Sequence, residues 1–125
     1  MGEIRLERIY APAGPDDGYR ILVDRLWPRG ISHERAALDL WLKDVAPSSD
    51  LRERWHHDPA TWPTFVSEYE AELGDDDHRG ALATLRSAAV DHPVVTLLYA
   101  ARDTEHNEAV VLRSVVLDEP VPGVS

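Results

Sequence analysis

Apolar and charged side chains alternate at the start of the chain. Ile4, Arg5, Leu6, Glu7 and Arg8 repeat with period two, the pattern of a strand with one buried face. Residues 11–18 then concentrate Pro, Gly and Asp as an irregular loop does. Tyr19 to Arg25 reads differently, because Ile21, Leu22 and Val23 are consecutive. An apolar run between turn signals predicts a central strand covered on both faces. Trp27-Pro28-Arg29-Gly30 ends it, and Ser32 is placed to cap a short helix through about Ala37. Leu38, Leu40 and Leu42 alternate with Asp39, Trp41 and Lys43, which fits a third short strand or a helical turn.

From Pro47 the spacing becomes helical. Ser48 or Ser49 can cap a segment with Leu51 and Trp55 four apart, stopped by His57-Asp58-Pro59. Trp62, Phe65, Val66, Tyr69 and Leu73 share one helical face, predicting a helix over 62–73 with Phe65 and Tyr69 buried against the sheet and Gly74 at its end. Asp75-Asp76-Asp77 suits the positive end of a further helix with Leu82, Leu85 and Ala89 as its stripe. Val94 to Tyr99 is β-branched and uncharged, a buried strand parallel to the second, and a last helix is expected from about Glu105 with Ala109, Leu112 and Val116 on one face. The resulting order predicts a single small α/β layered domain over 1–118. Its sheet is roughly four-stranded, mostly parallel and flanked by helices, with a frayed tail over 119–125.

Composition narrows the function classes. The chain has 125 residues, enough for one core, and no cysteine, which excludes disulfides, thiol nucleophiles and Cys-ligated metal. Its formal net charge is −10, with eleven acidic against four basic groups over 36–80. Such a surface repels nucleic acid and anionic lipid, so neither is expected as a partner. Apolar runs are short and the N-terminus lacks an apolar signal core, so the expected location is the cytoplasm.

Ligands of open α/β sheets collect beyond the carboxyl ends of strands. Two segments are predicted there, residues 24–30 and 99–107. Arg25, Arg29 and Arg102 are expected to bind an anion, with Tyr99 and Asn107 beside it and the amides of residues 104–107 completing the cradle. Trp27 either walls that pocket or packs. Arg25 and Arg102 are expected to share one pocket with the first turn of the last helix. The competing expectation pairs each arginine with Asp24, Asp103 or another carboxylate. His106 near Asp103 resembles an imidazole held for general-base work, and equally a capping interaction; these two are the catalytic candidates. No metal or cofactor is expected. The six histidines form no i, i+4 pair, His56 and His57 diverge, and the acidic triplet lacks the spacing of a hard-cation loop. No G-x-S-x-G elbow is present.

Several stretches are specific. DGYRILVDRLWPRGIS (Asp17 to Ser32), LDLWLKDVAPSSDLR (Leu38 to Arg52), HDP (His57 to Pro59) and TLLYAARDTEHNEAVVL (Thr96 to Leu112) resemble the DUF488 family in its YeaO-like branch, over about residues 17–116. The resemblance implies a small bacterial α/β protein and brings no activity with it. Broader relatives carry a cysteine-containing segment after the last strand, where this chain has Tyr99 to Asp103 followed by Asn107 and Glu108, so a thiol role would not transfer. The expected function is binding of a small phosphate- or carboxylate-bearing molecule at the sheet's carboxyl edge, with catalysis left open. The alternative is a non-catalytic interaction or regulatory protein whose arginines are structural and whose acidic helices face a protein partner.

Overall fold

The most apolar strand lies inside the sheet. In the computed structural model, which describes residues 2–124, β4 (Val94–Tyr99) pairs on one side with β1 (Glu3–Arg8) and on the other with β2 (Tyr19–Leu22). β2 also pairs with β3 (Leu40–Trp41), giving the order β1-β4-β2-β3 with every pair parallel. Met1 and Ser125, the outer ends of the expected domain and tail, lie outside the described residues.

Alternation along β4 divides the core. Val95, Leu97 and Tyr99 join Ile4, Ile21 and Val23 in the main cluster, with side chains of α2 (Ser49–Trp55), α3 (Trp62–Leu73), α4 (Arg79–Asp91) and α5 (Glu108–Leu117). Leu98 instead meets Leu22, Ile9, Ile31 and Ala36, so the second face is covered by loops and the one-turn α1 (His33–Ala36). The expected caps form: Ser32 and Ser48 accept from the amides of Arg35 and Leu51.

The second face also buries a charge. Arg20, in the apolar strand β2, is only 4% exposed and pairs with the buried carboxylate of Asp17. Its remaining guanidinium nitrogens donate to the carbonyls of Ala36 and Ala37 at 2.9–3.3 Å, where Ala37 has left-handed backbone. Thr96 Oγ1, next to Arg20 in the register, donates to the Asp17 carbonyl at 2.6 Å. Every polar group in this hub has a partner, which is what makes its burial tolerable.

Three details differ from the sequence pattern. The last helix starts at Glu108, not near Glu105, because the Asp103 carboxylate accepts the amides of Glu105 and His106 and forms a separate turn first. Helix α3 buries its predicted face, yet α4 and α5 occupy the sheet, so α3 rests chiefly on α2 and α5. Within the segment expected as a frayed tail, Val121 is buried and the Trp62 indole donates to the Pro122 carbonyl at 2.9 Å. No helix among the described residues is long and apolar enough to cross a membrane.

Phe65 stacks on Trp55 with ring centroids 4.0 Å apart and is 2% exposed. Phe65→Ala should therefore cost about 3–5 kcal/mol in chemical denaturation. A loss below about 1 kcal/mol would mean that α3 is not seated on α2 as described.

Candidate functional site

Parallel pairing brings the carboxyl ends of all four strands to one edge, and a cavity of about 290 Å³ opens there. Four parts of the chain build it: the segment after β2, the helix α2 with the residues on either side of it, the residues after β4 and the start of α5. The first supplies Asp24, Arg25 and Trp27. Asp24 Oδ2 accepts the Ala100 amide at 2.9 Å and its carbonyl accepts the Trp41 indole at 2.8 Å, so this residue ties the end of β2 to the end of β4. Trp27 both packs and walls the cavity. Its indole donates to the Ile31 carbonyl at 2.7 Å and stacks on His33 at 4.2 Å while lining the opening.

Helix α2 supplies Arg52 and Trp55, and His57 follows in left-handed backbone. Burial and then the nearby Arg52 charge lower the His57 pKa. From α5 comes Glu108, the first helical residue. Asn107 caps it through Oδ1, which accepts the Val110 amide at 3.1 Å. The Glu108 carboxyl is buried and in hydrogen-bonding contact with that of Asp24. Burial, then the Asp24 charge and that hydrogen bond, hold its pKa well above the ordinary glutamate range.

Arg25 is the group the site leaves unfinished. Its Nε is buried without a hydrogen-bond partner, and it is the one such side-chain atom among the described residues.

The residues expected at the site separate into groups. Arg25 and Trp27 line the cavity. Arg29 and Arg102 are exposed and outside its lining, which at the β4 end consists of Ala100 and Ala101. Tyr99 and Asn107 are buried beneath the edge, and Asn107 Nδ2 donates to the Asp103 carbonyl at 3.0 Å, so both serve packing and capping. The His106–Asp103 contact forms at 2.8 Å, and it coincides with the capping turn. His106 faces a different cavity of about 450 Å³, with Leu6, Arg113 and Ser114. No cluster of three or more metal-ligating side chains occurs among the described residues.

Sequence reasoning passed over Glu108, Arg52, Trp55 and His57 as site residues, and treated Asp24 only as a partner for an arginine. One signal for Glu108 was present: with Val111, Leu112 and Val115 it lies on a single helical face at i, i+3, i+4 and i+7, an acid in an apolar stripe.

Comparison with known proteins finds relatives of this chain. The family model described as the inactive DUF488-N3 subclade matches residues 3–121. The uncharacterized protein YeaO of Escherichia coli is 46% identical over 109 residues, covering 87% of this chain and 92% of that protein. The uncharacterized proteins Mb3100c of Mycobacterium bovis and Rv3073c of Mycobacterium tuberculosis are each 42% identical over 113 residues, covering 90% of this chain and 92% of theirs. No solved structure matches the chain.

The raised Glu108 pKa has a sign that can be measured. Below the ordinary glutamate range both folded and unfolded chains hold this proton. Above it the unfolded chain releases the proton first, so the folded state loses stability until Glu108 itself ionises. Glu108→Gln has no such proton. The difference in Tm, variant minus parent, should grow from pH 5 to pH 8; a pH-independent difference would show that Glu108 ionises as an ordinary glutamate does.

Proposed function

The chain belongs to the DUF488 family, and we propose that it binds a small phosphate- or carboxylate-bearing anion in the Arg25 cavity without transforming it. The observation that carries this reading is the buried, partnerless Nε of Arg25, a residue that lines an open cavity together with Arg52. A buried donor without an acceptor costs about 1–3 kcal/mol, which a ligand oxygen would offset. Guanidinium forks suit the paired oxygens of carboxylate and phosphate.

The charge balance supports the same reading. With Glu108 holding its proton, two guanidinium groups in the lining stand against the Asp24 carboxyl, a locally cationic site in a protein of net charge −10. A purely structural role describes Arg20, each of whose guanidinium nitrogens has a partner, and does not describe Arg25. The word inactive in the description of the matching subclade favours binding over turnover, as does the placing of His106 on another cavity. A cytoplasmic location belongs to this reading.

A thermal-shift series with inorganic phosphate, sugar phosphates, nucleotides and dicarboxylates at low salt tests it. At a hundredfold excess over Kd, one of them should raise Tm by on the order of 10 °C. The shift should vanish in Arg25→Ala and persist in Arg102→Ala. Equal shifts in parent and Arg25→Ala, or none with any anion, would sink the reading.

A further inference from the structure

The sheet ends at β1 on an edge that no other strand covers. β1 stands at one end of the strand order and has six residues, against two in β3 at the other end. The amides of Glu3 and Ile9 point inward, donating to the carbonyls of Pro93 and Tyr99 at 2.9 and 2.8 Å. Alternate residues of a paired strand bond to opposite sides, so the backbone groups of Ile4, Leu6 and Arg8 point outward. Arg113 Nε accordingly donates to the Ile4 carbonyl at 2.9 Å, and the Ala11 amide donates to that of Arg8 at 3.0 Å. Leu6, between them, keeps both its N–H and its C=O open. An edge of this kind is a template for another strand.

The side chains of β1 select a second β1. An antiparallel pair about a two-fold axis at Leu6 sets Leu6 opposite Leu6 and, on the other face, Arg5 opposite Glu7 twice. An axis at Arg5 would instead oppose Arg5 to Arg5 and Glu3 to Glu7. One at Ile4 would meet Arg113 on the Ile4 carbonyl. Both members of the charged pair can accept a partner. The Arg5 guanidinium, bound to the Asp16 carbonyl at 2.8 Å and 3.6 Å from Glu3, stays 40% exposed with donors to spare. Glu7 forms no ion pair among the described residues, and burial followed by the nearby Asp17 charge raises its pKa. On the helix face, half-buried Leu6 lines the cavity of about 450 Å³ with Val110 and Pro122, leaving room for a second leucine. We propose that two copies of this chain join edge to edge through β1, antiparallel about Leu6, with each Leu6 entering the other copy's cavity. The Arg25 cavity contains no residue of β1, so this inference and anion binding stand or fall separately.

Sedimentation velocity of the full chain from about 1 to 300 µM should show the mass rising to that of two chains. Arg5→Glu and Glu7→Arg should each weaken self-association roughly tenfold or more, because each sets like charges opposite one another at two places. Mixing the two variants in equal amounts should restore association to the parent's level, since every facing pair is then an arginine opposite a glutamate. If either variant does not fold, exchange of the Leu6 amide in the parent chain still gives the answer: it should slow as concentration rises. Variants that associate as the parent does, a mixture of folded variants that stays monomeric, or Leu6 exchange indifferent to concentration would each overturn the inference. A parent chain monomeric throughout the range would also overturn it, and would leave the edge to an extended segment of another protein.

Discussion

Everything at the carboxyl edge depends on the double pairing of β4. Because β1 and β2 both run parallel to it, three chain segments remote in sequence end side by side. The Asp24 carboxylate closes that arrangement by accepting the first amide beyond β4. Parallel strands need covered faces, and the alternation of β4 side chains supplies two cores of unequal kind. One is built of long helices; the other consists of loops, one short helical turn and a buried ion pair.

Two arginines on the same strand and its extension illustrate how burial can be tolerated in different ways. Arg20 is enclosed with a carboxylate and two carbonyls, so its charge is spent on holding the loop of residues 11–18 and the end of α1 to the sheet. Arg25, five positions later, lines an open cavity with one nitrogen unmatched. Glu108 is the complement of that situation: burial, then the nearby Asp24 charge, hold its pKa well above the ordinary glutamate range.

The strands and helices were legible wherever a single period ran long enough. Ile21 to Val23 and Val94 to Tyr99 announced the central strands, and the five-residue stripe from Trp62 announced α3. The start of α5 was misjudged because Asp103 and Asn107 are both good caps, and local sequence does not rank two caps in succession. Arg25 and Trp27 could be placed at the site from strand ends alone. Arg52, Trp55 and His57 could not, since their pattern describes a short helix and its stop without saying which edge of the sheet that stop faces. The Asp24–Glu108 contact is wholly tertiary, a product of the β2–β4 register.

The register of β1 also sets an order of events. Its strand partner among the described residues is β4, beginning with Glu3 opposite Val94. A chain growing from its N-terminus therefore carries β1 without a ladder through most of its synthesis, while β2 finds only the two residues of β3. Closing such distant pairs slows folding, because the entropy of the intervening loop is lost before the contacts form. The cavity follows the same timetable, since Ala100, Ala101 and Glu108 complete its lining. A nascent chain halted before residue 94 has neither the central strand nor the pocket, whose lining exists only once the chain has been made as far as Glu108.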